Sequence, residues 1–299
     1  MSQSERAALL SIPAATVAAS GLAWAGSHGG LAVRGLPMFA IAVGLVFVIQ
    51  WAAFVPAFVF RTERFYDLAG SITYVVVIAA TVAWNGRTDP RSLLLLSMVC
   101  VWALRLGSFL FGRVLRAGKD DRFREIKHSF LRFLSAWTMQ GLWVSFTLAA
   151  VLAAVTSGRS VSFGPATWVG LAVWLIGLGI EAAADEQKRQ FRADPGNRGR
   201  FIQTGLWSWS RHPNYFGEIV LWIGAAIVAA PVLRGLQWVA MISPLFVTLL
   251  LTRISGIPIL ERRANEKWGR QADYEAYKRR TPVLVPRPPK NEKLHSSRP

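Results

Sequence analysis

Residues 36–60 read LPMFAIAVGLVFVIQWAAFVPAFVF and contain no charged side chain. A membrane-spanning helix needs about 20 mostly apolar residues, so this stretch is long enough to cross a bilayer. Seven further stretches have a similar length and are mostly apolar: 7–26, 66–84, 91–112, 130–157, 162–184, 215–233 and 236–259. They are too long for membrane strands and lack the alternation of such strands. The sequence therefore predicts an all-α, polytopic integral membrane helical bundle with eight spans.

The composition of the 299-residue chain agrees with this class, because 53% of the residues are hydrophobic and only 17% are charged. The first span, 7–26, is rich in Ala, Gly and Ser and contains Pro13, but no basic leader precedes it. We therefore interpret it as a span and not as a signal peptide. We expect an additional N-terminal transmembrane segment at 1–35, a membrane domain at 36–290 and a disordered tail at 291–299.

The charge of the chain is strongly basic, with 34 Lys and Arg against 17 Asp and Glu. Such an excess suggests either nucleic acid or an anionic membrane surface as the partner. Most basic residues follow spans two, four, six and eight, which indicates that both termini and these connections face the cytoplasm. Membrane lipids, and no nucleic acid, are therefore the expected partners. Cys100 is the single cysteine and the four histidines are scattered, so we predict no metal site.

Ionisable side chains inside the spans indicate where a functional site lies, because a charge in a span is costly and usually faces a cavity or a partner. In span three, Asp67, Ser71 and Tyr74 share one helical face. The other stripes are Arg105 to Arg116 in span four, Glu181, Asp185, Arg189 and Arg192 in span six, and Arg211, Asn214, Glu218 and Trp222 in span seven. All four open toward the predicted cytoplasmic side, so we expect one polar cavity. An ion pair of Arg105 with Glu181 or Asp185 is the structural alternative.

The connection 185–214 combines anion ligands with stacking surfaces. It offers Arg189, Arg192, Arg198, Arg200 and Arg211 together with Trp207 and Trp209. A dinucleotide needs such groups, because Arg binds phosphate oxygens bidentately and aromatic faces hold the base. A Gly-rich fingerprint between a strand and a helix is absent from the sequence, which excludes a Rossmann domain. His212 either contacts a cofactor or packs at a helix start.

The run GLWSWSRHPNYFGE at 205–218 resembles the signature of bacterial membrane proteins related to steroid 5α-reductase. Arg105-Leu106-Gly107 fits that family, as does Glu261-Arg262-Arg263 followed by Tyr274, Tyr277 and Pro286. The resemblance implies a multi-pass protein of the bacterial inner membrane with a seven-helix core, formed by spans two to eight. It also implies NADPH in a cavity that opens to the cytoplasm, with a lipidic enone beside the nicotinamide.

In that family hydride adds to the β-carbon of a conjugated C=C bond while an acidic group polarises the carbonyl oxygen. Matched position by position, the cofactor contacts fall on Asp185, Arg192, Arg200 and Asn214, with Glu218 near the same site and Arg116 as a further phosphate ligand. The chain departs from the pattern where the reductases carry an activating tyrosine, because Trp102 stands there. Tyr74, supported by Asp67, is our candidate proton donor, and Tyr66 is the fallback.

The predicted site thus has the catalytic residues Asp67, Tyr74 and Glu218 and the cofactor contacts Arg105, Arg116, Asp185, Arg189, Arg192, Arg200, Trp209, Arg211, His212 and Asn214. Our leading hypothesis is an NADPH-dependent reductase of a steroid-like or isoprenoid lipid. The alternative is an isoprenylcysteine- or phospholipid-type methyltransferase using S-adenosylmethionine, since such enzymes share the Arg-His-Pro-x-Tyr element. A transporter or scaffold is a third reading, which the clustering of charges at one end of the spans disfavours.

Overall fold

A computed structural model describes residues 2–86, 89–117 and 123–289. The α-helices are α1 (Gln3–Gly26), α2 (Met38–Val59), α3 (Tyr66–Asn85), α4 (Pro90–Ala117), α5 (Phe130–Thr156), α6 (Pro165–Ala193), α7 (Pro213–Ala229), α8 (Ile242–Leu249), α9 (Ile257–Trp268) and α10 (Ala272–Arg280). Two short antiparallel strands, β1 (Ala32–Val33) and β2 (Leu36–Pro37), form a hairpin before α2. Short 3₁₀ segments lie at Ile126–His128, Pro195–Asn197, Gly205–Ser208, Ala230–Val232 and Gly235–Met241.

The predicted spans are confirmed. Within the described ranges, eight helical stretches are long and apolar enough to cross a membrane, from Gln3–Gly26 to Gly235–Trp268. The predicted span 130–157 differs from α5 by a single residue at its end. The chain is therefore an all-α, multi-pass membrane protein, and the predicted fold class holds.

Spans six and eight differ most from their predicted course. Helix α6 continues past the predicted end at 184 as far as Ala193, because the charged residues that lower its hydropathy are good helix formers and the first proline after them is Pro195. The last span, predicted as one helix over 236–259, is a 3₁₀ segment, then α8, then a π-helical turn at Leu250–Ile254. Hydropathy reports apolar length and not the pattern of backbone hydrogen bonds.

The chain divides into two compact units. Unit 1 holds the described residues up to Leu171 together with Ala225–Phe246, and unit 2 holds Ala172–Gly224 with the described residues from Val247 onward. The division predicted from the sequence, at residues 35 and 290, stays a prediction. The predicted disordered tail, 291–299, lies outside the described residues.

In unit 1, α5 is the most buried of the candidate spans and packs against α1, α2, α3 and α4. An aromatic cluster that includes Phe54, Tyr66, Phe133 and Trp137 closes one end of this core. The hydroxyl of Tyr66 donates to the carbonyl oxygen of Ala136 at 2.9 Å. Tyr66, the fallback proton donor, is 4% exposed. Its hydroxyl is therefore buried and already engaged in a structural hydrogen bond.

A buried arginine near the start of α4 ties unit 1 together. Arg91 is 2% exposed, and its guanidinium donates to Thr167 Oγ1 at 3.0 Å and to the carbonyl oxygen of Val228 at 2.7 Å. It also donates to the carbonyl oxygens of Val161 and Ser162, each at 3.2 Å. Four acceptors from three stretches of chain thus converge on one side chain, which gives this intramembrane charge a structural role.

In unit 2, α6 and α7 approach at two glycines. A Cβ atom added to Gly177 would lie 2.4 Å from the backbone nitrogen of Leu221, and one added to Gly217 would lie 2.5 Å from that of Glu181. Larger residues at these positions would push the helices apart. The close approach allows Asn214 to donate to Asp185 across the two helices at 3.2 Å.

Candidate functional site

A cavity of about 300 Å³ lies within unit 2, where the carboxyl end of α6, the loop that follows it, α9 and α10 meet. We call it the cationic cavity. Its basic lining residues are Lys188, Arg192, Arg200, Arg211, Arg263 and Lys267. Its aromatic lining residues are Phe191, Phe201, Trp207, Trp268, Tyr274 and Tyr277. Glu261 is the one carboxylate among its lining residues, so the cavity carries a strong positive charge.

The single carboxylate of the cavity is already shared by two neighbours. Oε2 of Glu261 accepts a hydrogen bond from Arg211 Nη1 at 2.5 Å, and its Oε1 lies 2.8 Å from His212 Nε2. Glu261 therefore neutralises Arg211 and orients the imidazole of His212. The lining residues that the structure describes include no second carboxylate.

His212 is buried at the wall of the cavity. Its side chain is 6% exposed, and its ring stacks on that of Tyr215 with the centroids 5.7 Å apart. Burial lowers the pKa of His212, with Glu261 opposing that effect and Lys188 and Arg211 adding to it. Among the described residues, neither Nδ1 of His212 nor Nε of Arg211 has a hydrogen-bond partner. Buried polar atoms without a partner are rare in folded proteins, so these two call for a partner such as a bound ligand or a water molecule.

The aromatic wall is built around Phe201. Its ring contacts those of Tyr274 and Tyr277 at centroid distances of 5.0 and 5.4 Å and that of Trp268 at 5.8 Å. Nε1 of Trp268 donates to the carbonyl oxygen of Gly199, and the Tyr277 hydroxyl donates to that of Trp207 at 2.7 Å. Burial raises the pKa of Tyr277, so its hydroxyl keeps the proton that it donates. The rings are thus fixed as a stacking surface.

The loop that carries Arg211 and His212 is held from both sides. Gln187 of α6 accepts from the backbone nitrogen of Leu206, directly after Gly205, whose φ of +59° and whose close contact with Gln187 leave no room for a side chain. On the other side, the backbone nitrogen of Arg211 donates to Pro282 and that of Arg287 donates to Trp209. The chain after α10 therefore braces the loop.

Four of the predicted cofactor contacts line the cationic cavity, namely Arg192, Arg200, Arg211 and His212. Asp185 and Asn214 are bonded to each other across α6 and α7 and are not among the cavity's lining residues. Arg189 is also outside that lining and pairs with Glu186 at 2.6 Å on the surface of α6. Trp209 is 43% exposed and does not line it. Their roles as cofactor contacts stay predictions.

The predicted proton donor lies in unit 1. Tyr74 and Asp67 are both half-buried on α3, two helical turns apart on one face, and the Tyr74 ring packs edge-on against Trp102 at 5.0 Å. Arg105 is half-buried on α4 in the same unit. The side chain of Arg116 lies outside the described residues. Glu218 is half-buried on α7 in unit 2, next to the close approach at Gly217.

The cavity also contains residues that we did not predict. Lys188 lies over the Trp207 ring at 4.2 Å, and Arg263 and Lys267 lie one turn apart on α9. The spacing of Arg263 and Lys267 on an amphipathic helix was the available signal. Glu261, Arg263, Tyr274 and Tyr277 belong to the family motif, but the motif assigns none of them to the cofactor site.

Fold and site together define a multi-pass membrane protein with a cationic, aromatic cavity in the part of the chain that carries the RHPNYFGE motif. The chain belongs to the family described as "Protein of unknown function (DUF1295)", whose model matches residues 53–281. Together with the similarity to 3-oxo-5-alpha-steroid 4-dehydrogenase 1 of Bos taurus and of Mus musculus, this match confirms the predicted steroid 5α-reductase-like family.

Three curated relatives illustrate the range of the similarity. The 3-oxo-5-alpha-steroid 4-dehydrogenase 1 of Bos taurus is 32% identical over 141 residues, which are 47% of this chain and 51% of the relative. An uncharacterised protein of Schizosaccharomyces pombe is 22% identical over 167 residues, 47% of this chain and 48% of the relative. A probable O-methyltransferase of Ustilaginoidea virens is 27% identical over 117 residues, which are 34% of this chain and 41% of the relative.

The chain thus spans about half the length, or less, of the curated relatives that it matches. No solved structure gives a significant match.

Proposed function

We propose that this protein is an NADPH-dependent membrane reductase that transfers hydride to the conjugated C=C bond of a lipidic enone. The observation that carries the proposal is the cationic cavity, whose lining has six basic side chains and one carboxylate, Glu261, that Arg211 and His212 already engage. A pyrophosphate and a 2′-phosphate supply the negative charge that this lining lacks. The similarity to steroid dehydrogenases supports the same reaction class.

The residues of the cavity fit a phosphorylated nucleotide. Basic side chains such as Arg192 and Arg200 would bind phosphate oxygens, and the wall around Phe201 and Trp268 would stack the base. Within the described residues, the buried Nδ1 of His212 and Nε of Arg211 lack partners that a ligand would provide. Because about 300 Å³ lies at the low end for ligand sites, we assign the cavity to the adenosine half of NADPH.

NADPH would supply the hydride, and the protein would orient the substrate and polarise it. In the proposed mechanism Tyr74 donates a hydrogen bond or proton to the carbonyl oxygen of the enone, and Asp67 on the same face of α3 supports its hydroxyl. Glu218 stays a proposed catalytic residue, and Asp185 and Asn214, which are bonded to each other, stay proposed cofactor contacts. Trp102, whose ring lies edge-on against that of Tyr74, would contact the substrate beside it.

We further propose that the protein lies in a bacterial inner membrane with its termini and cavity on the cytoplasmic side. The concentration of Lys and Arg in alternate connections supports this orientation. Spans two to eight would form the reductase core, and α1 would be an addition to it. Reporter fusions at the β1–β2 hairpin and after α10 would report opposite sides of the membrane, and reports from one side would contradict the orientation.

The proposal is tested by ligand-dependent thermal stability of the purified full chain. NADPH at about 100 times its Kd should stabilise the protein by about 2.7 kcal/mol, which a shift in melting temperature detects. NADPH oxidation is then followed by absorbance against a panel of enone lipids. If NADPH neither stabilises the protein nor is oxidised with any enone of the panel, the reductase proposal fails.

A second candidate function rests on one observation, the similarity to a probable O-methyltransferase. S-adenosylmethionine carries one carboxylate and a sulfonium, so it needs few of the cations that line the cavity. NADPH and S-adenosylmethionine are compared in the same thermal assay, with NADH as the control for the 2′-phosphate. Stabilisation by S-adenosylmethionine alone would replace the reductase by a methyltransferase.

A further inference from the structure

His212 and Glu261 form a pair that the proposed function does not by itself explain. We propose that Nδ1 of His212 accepts a hydrogen bond from a sugar hydroxyl of the bound nucleotide, and that Glu261 is the positioning residue that keeps this nitrogen unprotonated. The inference rests on the proposed function, since it assigns a role within the same cavity. It assigns recognition of the sugar to a neutral side chain and recognition of the phosphates to the cations.

The charge of Glu261 fixes the direction of the hydrogen bond between the two residues. Glu261 accepts from Arg211 Nη1 through Oε2, so its carboxyl group is held as a carboxylate. A carboxylate only accepts hydrogen bonds, and its Oε1 lies 2.8 Å from His212 Nε2. The proton of the imidazole must therefore be on Nε2. In the neutral ring this leaves Nδ1 with a lone pair.

The surroundings of His212 keep its ring neutral. The side chain of His212 is 6% exposed, and the groups that face it are Glu261, Arg211 and Lys188. Burial penalises the charged form most strongly; the carboxylate of Glu261 favours protonation, and the two cations oppose it. The direction of the resulting pKa shift is downward. The imidazole is therefore neutral near pH 7, and Nδ1 is an acceptor.

Nδ1 of His212 can bind only a hydrogen-bond donor. It has no hydrogen-bond partner among the described residues, although it belongs to a side chain in the lining of the cavity. A phosphate oxygen is an acceptor and cannot satisfy another acceptor, whereas a hydroxyl donates. Sugar hydroxyls lie next to the phosphates of a nucleotide, and Arg211, the neighbour of His212, also lines the cavity. A sugar hydroxyl is therefore the donor that fits this position.

The test uses the purified full chain and two probes, NADPH and inorganic pyrophosphate, which has no sugar. His212→Gln keeps a donor toward Glu261 and removes the acceptor at the δ position, and His212→Asn is the matched control that keeps a hydrogen-bonding atom at the δ position. We expect His212→Gln to bind NADPH about tenfold more weakly, which corresponds to about 1.4 kcal/mol, and pyrophosphate with unchanged affinity. His212→Asn should retain more of the NADPH affinity than His212→Gln.

Equal losses for NADPH and pyrophosphate in His212→Gln, or no loss for NADPH, would overturn the inference. Failure of the wild-type chain to bind NADPH, with pyrophosphate still bound, would instead overturn the proposed function and remove this role with it. The two failures are therefore distinguishable.

A spectroscopic measurement tests the role of Glu261 separately from affinity. In protein labelled with ¹⁵N-histidine, the resonance that His212→Gln removes should show an unprotonated Nδ1, and NADPH should shift it to lower frequency. Glu261→Gln should give a mixture of tautomers, because an amide accepts and donates. An unchanged tautomer in Glu261→Gln, or a protonated Nδ1 in the wild type, would contradict the positioning role.

Discussion

Two arginines of one loop offer a matched test of the cationic cavity. Arg200 lines the cavity, whereas Arg198, two residues earlier, does not, and both side chains are exposed. They carry the same charge, so a general change in electrostatics would affect both alike. We predict that Arg200→Ala weakens NADPH binding and that Arg198→Ala leaves it nearly unchanged.

The magnitude follows from the exposure of Arg200. Two unit charges about 4 Å apart interact by about 1 kcal/mol in water and about 4 kcal/mol at the effective dielectric of a protein surface. An exposed guanidinium at a cavity edge lies toward the lower value, at about 1–2 kcal/mol. Arg200→Ala should therefore raise the Kd of NADPH about 5- to 30-fold. Arg198→Ala should change it less than about twofold, as expected for a screened surface charge.

The assay is a titration of the purified protein with NADPH, followed by nucleotide fluorescence at two salt concentrations. The difference between the two variants should shrink at high salt, because the Debye length falls from about 10 Å at 0.1 M to about 3 Å at 1 M. Equal effects of the two substitutions, or a larger effect of Arg198→Ala, would refute the assignment of this cavity to the cofactor phosphates.

Four further outcomes are expected. Replacing Arg263 and Lys267 by Ala should weaken NADPH about tenfold more than NADH in the same titration, because both flank the aromatic wall beside which the 2′-phosphate would lie; equal losses would place that phosphate elsewhere. Tyr74→Phe should lower the turnover of NADPH oxidation on the order of 100-fold with little change in Kd, and an unchanged rate would remove Tyr74 from the mechanism. Burial lowers the pKa of His212 in the folded protein, so its contribution to stability is complete above the pKa of the unfolded chain, near 6.5, and is lost as the pH falls below that value. The melting temperature should therefore drop between about pH 7 and 5, and it should drop less steeply in His212→Gln. Arg91→Leu should cost about 2–4 kcal/mol in denaturant unfolding, since four acceptors lose their donor, and a loss below about 1 kcal/mol would contradict the structural role.

The membrane fold could be read from the sequence because a span has a simple physical requirement. About 20 apolar residues suffice, and α5 agrees with its predicted limits to within one residue. The end of α6 could not be read in this way, because hydropathy falls at Asp185 while the helix continues to Ala193. The π-helical turn at Leu250–Ile254 is also invisible to hydropathy, since it depends on tertiary packing.

The candidate site was only partly predictable for a related reason. Arg192 and Arg200 lie in a connection whose composition already suggested an anion site, and both line the cavity. Arg263 and Lys267 lie far away in sequence, and nothing in a single sequence brings α9 to the end of α6. The same limit applies to Glu261, whose hydrogen bonds to Arg211 and His212 are long-range contacts.

The positive charge of the chain has two separable causes, which a net charge of +17 cannot distinguish. Orientation in a membrane requires only that basic residues lie on one side, and it does not require them to converge. Six basic side chains converge on one cavity whose lining has a single carboxylate, shared by Arg211 and His212. A polyanionic ligand would lower the repulsion among these like charges, which supports the proposed nucleotide. Orientation in the membrane requires neither a neutral acceptor at His212 nor a stacking wall around Phe201. Both features favour a nucleotide over a simple polyphosphate.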